Sequence, residues 1–163
     1  MNLSAGRLTI RDKKGGTYEL GLGGSGDFAS LLKMYDVFLP KKAAQGLPPE
    51  ERPAREQWVH CLMDKGDNLL VWRDAEVVGH GALLPDFTRK DAEYMIFVNQ
   101  AFRGQGLGTA LTRSAMLRAR ELCLNAVWLT VDGHNYRAIG LYKKFGFVFC
   151  DDGGWERFML LRL

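Results

Sequence analysis

The segment Arg103-Gly-Gln-Gly-Leu-Gly108 follows the apolar run 93–98 and stands directly before a long amphipathic run, residues 107–123. Its reading decides the fold. In the second run Leu111, Ala115 and Leu122 recur at helical spacing, interrupted by Arg118, which predicts a helix. Glycine at 104, 106 and 108 lets the backbone approach a ligand closely and aim successive N–H groups at one spot. The helix start adds unpaired N–H donors and the positive end of its dipole. Gly104, Gln105, Gly106, Leu107, Gly108 and Thr109 thus read as a pyrophosphate cradle, with Arg103 placed for a charge-assisted contact. A P-loop is excluded, because no Gly-Lys-Ser/Thr follows and no acidic strand end would supply magnesium. A tight strand-to-helix connection without any ligand fits the same letters, and the loop alone does not choose.

Working outward, residues 8–11 and 17–20 predict two short strands around the turn DKKGG. GLGGSGD leads into a helix over FASLLKMYDVFL that stops at Pro40, with Asp27 as its cap. After the loop KKAAQGL, PPEERP suits the first turn of a second helix carrying Trp58, Leu62 and Met63. NLLVWRDAEVVGHGALL reads as a hairpin turning at Asp74–Ala75, and residues 92–98 as a further strand. Residues 126–131 predict a strand, 136–145 a helix capped by Asn135, and 147–150 and 157–161 two strands flanking DDGG. The sum is an α/β chain of the α+β type. A mixed, mostly antiparallel central sheet flanked by about four helices is expected, in a single domain over 1–163.

The chain has 163 residues, 47% of them hydrophobic, enough for a core without help and too many for disorder. A net charge of +3 is too mild to argue for nucleic acid. Cys61, Cys123 and Cys150 are scattered, so neither a disulfide framework nor a metal site is expected, and a reducing cytoplasmic setting follows. MNLSAGRLTI carries no long apolar run, so neither a signal peptide nor a membrane helix is expected. The 19 glycines include a second cluster, Gly21-Leu-Gly-Gly-Ser-Gly26, which fits the dinucleotide pattern GxGxxG literally. It lacks the following parallel strand and ribose-binding acid, so it reads as turn material and an NAD(P) enzyme is disfavoured.

The loop is matched, roughly thirty residues on, by Asn135-Tyr-Arg-Ala138-Ile-Gly-Leu141-Tyr142-Lys-Lys-Phe145-Gly146-Phe147. Together they resemble the GNAT superfamily of acyl-CoA-dependent N-acyltransferases, over about residues 76–147. The resemblance implies acetyl-CoA as co-substrate, no metal, and a GNAT-like fold. It implies that Arg103 to Gly108 hold the coenzyme pyrophosphate, that Asn135 and Ala138 line the pantetheine path, and that Tyr142 sits near the thioester sulfur. It also implies that the strand bearing Ile96, Phe97 and Val98 splays from its neighbour, offering its edge to the pantetheine amides and donors to the oxyanion.

N-acyl transfer requires an unprotonated amine, an aligned carbonyl, donors for the oxyanion and a proton for the departing thiolate. Tyr142 is the expected acid, since a phenol stays protonated at neutral pH. Without the resemblance it reads as a core aromatic. Glu93 is the expected base, on one strand face with Met95 and Phe97, if burial raises its pKa. A solvated charge at a strand end is the alternative. AEYMIFV resembles the corresponding strand of the protein-lysine acetyltransferase (Pat-like) branch, where a glutamate is the base. Trp128-Leu-Thr-Val131 puts Thr130 where a second branch keeps its glutamate. His134 reads as a turn residue, and His60 and His80 as structural. The amine is left open between a protein lysine and a small molecule, with no nucleic acid or membrane partner and a homodimer allowed. A non-catalytic acyl-CoA sensor on the same fold is the alternative function.

Overall fold

The computed structural model describes residues 6–12, 14–41 and 46–163. Parts of the turn DKKGG and the loop KKAAQGL, and the first residues of the chain, lie outside the described residues. The chain opens with β1 (Leu8–Arg11) and β2 (Thr17–Leu22), followed by α1 (Phe28–Val37) and α2 (Arg52–Lys65). Then come β3 (Asp67–Arg73), β4 (Glu76–Asp86), β5 (Asp91–Val98) and α3 (Leu107–Glu121). It closes with β6 (Ala126–Asp132), α4 (Tyr136–Lys144), β7 (Val148–Phe149) and β8 (Glu156–Arg162). One sheet forms in the order β1-β2-β3-β4-β5-β6-β8-β7. Every neighbouring pair is antiparallel except β5 with β6. This is the expected mixed sheet with four helices.

Local chemistry sets the boundaries. Arg73 pairs with Glu76 across the two-residue turn Asp74–Ala75, both at positive φ (50° and 66°), the conformation of a type I′ hairpin. The helix expected to reach residue 123 ends at Glu121, because Cys123 takes φ 56°, which no right-handed helix continues. The helix expected to run to Pro40 ends at Val37, with Phe38 already extended. The strand expected over 147–150 is only two residues long.

Both faces of the sheet are buried, which is why β3 reads DNLLVWR rather than as an alternating strand. Leu69 and Val71 enter a core closed by Leu107, Leu111 and Ala115 of α3 and by Ile139 and Tyr142 of α4. Leu70 and Trp72 enter a second core closed by Leu31 and Tyr35 of α1 and Val59 of α2. The first glycine cluster packs on the sheet. Gly21 lies within β2, and a Cβ on Gly23 would come within 2.6 Å of Leu70 Cδ1. Because β2 runs antiparallel to both neighbours, no strand–helix–strand unit surrounds the cluster, as the turn reading requires. Asp27 departs from expectation: it sits at the start of α1, yet its carboxylate accepts the Gly24 N–H at 2.9 Å and no N–H of that helix.

A buried polar chain crosses the second core. The Tyr35 hydroxyl lies 2.6 Å from His80 Nδ1, and His80 Nε2 lies 2.9 Å from Asn68 Oδ1. Asn68 Nδ2 donates to the carbonyls of Leu62 and Gly66, so it ties the end of α2 to β3 and β4. Since Asn68 presents its oxygen, His80 donates from Nε2 and accepts at Nδ1 from Tyr35. His80 is structural, as expected. Burial lowers its pKa from 6.5 to about 3, so it is neutral when folded and takes a proton only on unfolding. Protons therefore favour the unfolded chain. Between pH 6.5 and 5 the unfolding free energy is expected to fall through this group with a slope that steepens from about 0.7 toward 1.4 kcal/mol per pH unit. Urea titrations at those pH values check it, and a flat profile would contradict the assignment.

Candidate functional site

The site begins where the one parallel ladder stops. β5 and β6 pair only at Asp91–Ala126, Ala92–Val127 and Glu93–Trp128. Beyond that point β5 continues with β4 to Val98, and β6 continues with β8 to Asp132. The two strands therefore diverge, and the facing edge of β5 from Tyr94 to Val98 keeps its backbone groups free of a sheet partner among the described residues. A cleft of about 560 Å³ fills the gap, lined by Tyr94, Ile96, Phe97, Asn135, Ala138 and Tyr142 among others.

The glycine loop lies beside that gap. Gly104 and Gly106 take φ of 82° and 92°, and Gly106 is the residue before the first turn of α3. Such angles cost a side-chain-bearing residue about 1–2 kcal/mol, which explains glycine at both. A Cβ on Gly104 would lie 3.1 Å from a guanidinium nitrogen of Arg137, so that side chain rests against the loop. Arg103 is anchored at the end of β5. Its guanidinium donates to the carbonyls of Val98 (2.9 Å) and Leu39 and lies over the Phe38 ring. Desolvation, then the Arg137 charge, lowers the Arg103 pKa, so the two cations stand near each other. Among the described residues neither is ion-paired. Two cations beside the start of α3 fit an anion the size of a diphosphate. Gln105 is held by the hydroxyl of Tyr18, which donates to its Oε1. Leu107 is buried in the core, whereas Gly108 and Thr109 remain partly open.

Asn135 caps α4 as expected, its Oδ1 accepting from the Ala138 N–H at 3.1 Å. Tyr142 follows from α4 into the same cleft, only 5% exposed, and its hydroxyl has no hydrogen-bond partner among the described residues. Burial holds its pKa well above the ordinary tyrosine value, so the phenol is a fixed donor. Ile96 packs into the first core, Phe97 into the second, and Val98 against the first. Glu93 is half-buried at the apex of the divergence, on the face of Met95 and Phe97, which line the cleft. It has no ionic or hydrogen-bonding partner among the described residues, and burial raises its pKa. Its register partner Trp128 carries a buried indole N–H that also lacks an acceptor among the described residues.

Sequence reasoning missed several contributors. Arg137 occupies the variable second slot of N-x-x-A, and only the fold turns it onto Gly104. Tyr94 passes for an ordinary strand aromatic, although it lines the cleft. Thr130 lines it too; Trp155, expected on the acceptor side, also lines it, 81% exposed, with its ring 5.1 Å from that of His134 and tilted by 47°. No helix is long and apolar enough to cross a membrane among the described residues.

Residues 31–147 match the family model of the Acetyltransferase (GNAT) family. The chain is 29% identical over 131 residues to the L-methionine sulfoximine/L-methionine sulfone acetyltransferase of Pseudomonas paraeruginosa, covering 76% of each. In structure it is similar to the GNAT domain of S. lividans PAT, with a TM-score of 0.83 and 15% identity over 96% of this chain and 97% of that one. It is also similar to yncA from Salmonella typhimurium, solved with its cofactor acetyl-CoA, with a TM-score of 0.71 and 20% identity over 90% and 94%. At these identities the two structures speak for the fold alone.

The half-buried, unpaired carboxyl has a direct test. A carbon-detected NMR titration of Glu93 is expected to give a midpoint above the ordinary 4.5, since burial raises it. A midpoint at or below that value would mean that water reaches the group freely.

Proposed function

The chain belongs to the GNAT acetyltransferase family and is an acetyl-CoA-dependent N-acetyltransferase, and from that premise we propose that it acetylates a primary amine inside the β5–β6 cleft. The observation that carries this reading is Tyr142, which lines the cleft together with the free edge of β5 and whose hydroxyl has no hydrogen-bond partner among the described residues. Acetyl-CoA supplies the activated acetyl group. The first-turn N–H groups of α3, with Arg103 and Arg137, hold its diphosphate. The exposed edge of β5 at Ile96, Phe97 and Val98 bonds its amide arm as an added strand would, with Asn135 and Ala138 forming the opposite wall.

Glu93 takes a proton from the attacking ammonium, directly or through water, so that the nitrogen lone pair is free to form the C–N bond. Tyr142 donates its hydrogen bond to the sulfur as the C–S bond breaks and negative charge develops there. Its raised pKa suits that duty, because the phenol does not ionise beside the departing thiolate. Free N–H groups of β5 stabilise charge on the carbonyl oxygen. For the acceptor, a small-molecule amine is favoured by the Pseudomonas relative, named for L-methionine sulfoximine and L-methionine sulfone. A peptide lysine remains the second arm of the test.

Thiol release from acetyl-CoA with a panel of small amines and lysine peptides tests the reading. Activity with none of them, together with no coenzyme A binding, would overturn it. Tyr142→Phe is expected to lower kcat about 10²-fold while coenzyme A binding stays near normal. Full turnover in that variant removes Tyr142 as the hydrogen-bond donor to the sulfur, whose proton then comes from water in either case. With Glu93 as base, kcat/KM falls as pH drops through its raised pKa. Glu93→Gln is therefore expected to lower the rate and flatten this acid limb, and an unchanged limb would assign the base elsewhere.

A further inference from the structure

Three polar groups link the apex of the cleft to the glycine loop. Tyr94 is the first β5 residue beyond the last pair with β6, so its Cα marks the vertex of the divergence. Its side chain points away from Glu93, into the core beneath α3, while its ring still lines the cleft. There its hydroxyl lies 3.1 Å from Thr112 Oγ1, and Thr112 Oγ1 donates to the carbonyl of Gly108 at 2.8 Å. Tyr94 is 1% exposed and Thr112 is fully buried. Thr112 has a single hydroxyl proton, committed to Gly108, so Tyr94 must be the donor in the first bond. The direction is fixed: Tyr94 O–H to Thr112 O–H to the Gly108 carbonyl.

The Gly108 carbonyl shares its peptide unit with the Thr109 N–H. That N–H lies in the first turn of α3, where a helix has no internal acceptor for it. Hydrogen bonds in series polarise one another, so donation into the Gly108 oxygen strengthens the Thr109 N–H as a donor. The Tyr94–Thr112 bond also ties this part of α3 to β5.

We propose that Tyr94 and Thr112 are positioning residues that couple the vertex of the β5–β6 cleft to the diphosphate end of the cofactor site. Neither touches the reacting atoms. This rests on the cofactor reading above, because it assumes that the first-turn N–H groups face phosphate oxygens. The relay keeps two binding surfaces in register, the strand edge that takes the amide arm and the helix start that takes the charge. It also explains a hydroxyl at both positions, where phenylalanine and valine would fill the same core.

The test compares two acetyl donors, acetyl-CoA and S-acetylpantetheine, which keeps the thioester arm but lacks the diphosphate and nucleotide. The readout is the ratio of their kcat/KM values. Thr112→Val and Tyr94→Phe are each expected to lower the ratio by about 3- to 10-fold, the size of one lost hydrogen bond. Thr112→Ser, which keeps the hydroxyl, is expected to restore it. An unchanged ratio, with both donors equally affected or neither affected, overturns the relay. Tyr94→Phe leaves Thr112 bonded to Gly108, so it keeps the measurement available if Thr112→Val does not fold. Calorimetry of the unmodified protein with coenzyme A separates the two ideas. Failure to bind removes the cofactor reading and the relay with it, whereas binding with an unchanged ratio in the variants removes the relay alone.

Discussion

Parallel pairing between β5 and β6 ends after three residues, and most of the molecule is arranged around that ending. Two strands that part within a sheet leave backbone donors and acceptors without partners, a cost that a closed core would not tolerate. They can part here because each is fully paired on its other side, β5 with β4 and β6 with β8. The opening is then kept from collapsing by what enters it from either face: Tyr142 from α4, and Phe97 turned toward the core beneath α1 and α2. A free strand edge is normally a liability for aggregation. Recessed between two strands and walled by side chains, this one is reachable by an extended ligand but not by another sheet.

That opening could not be read from the sequence by pattern alone. AEYMIFV and AVWLTV have the same apolar character whether they pair along their whole length or part halfway, because alternation reports which face is buried and not which edge is bonded. The glycine loop was legible for the opposite reason. Positive φ at 104 and 106 excludes most side chains, so the conformation is written in the residue types themselves. Asn135 was legible as a cap by the same logic of local chemistry. Arg137 was not, since nothing local states that the first turn of α4 faces a loop more than thirty residues earlier. Tyr142 and Glu93 stood out only through the resemblance, because a buried tyrosine and a strand-end glutamate are unremarkable as letters.

Two glycine clusters with similar spelling behave differently for reasons of topology. Gly21 lies in a strand that is antiparallel to both neighbours, and Gly23 is small because Leu70 lies against it. The other loop leads from β5, through a short turn at Gln100–Phe102, to the start of α3, where Gly108 lies against Ile96 of the cleft wall and the helix dipole presents its positive end. A pattern of glycines specifies that backbone can bend or approach closely. Whether a charge is bound there depends on the strand that precedes and the helix that follows.

The cleft is also the meeting place of two cores with different polar content. On the α3 side the hydroxyls of Tyr94 and Thr112 run toward the glycine loop. On the α1 and α2 side the Tyr35–His80–Asn68 chain anchors Tyr35, whose ring meets Phe97 edge-on at 5.4 Å. Phe97 is thus braced by an aromatic that is itself fixed by hydrogen bonds, and the wall it offers the cleft is rigid. Buried polar chains of this kind add little net stability compared with apolar packing, but they permit only one arrangement of the elements they join. Here one chain begins at Tyr94, which lines the opening, and the other ends on Tyr35, which braces Phe97 in its wall. The geometry of two diverging strands, which sheet pairing cannot hold, is instead held by side-chain hydrogen bonds from each face.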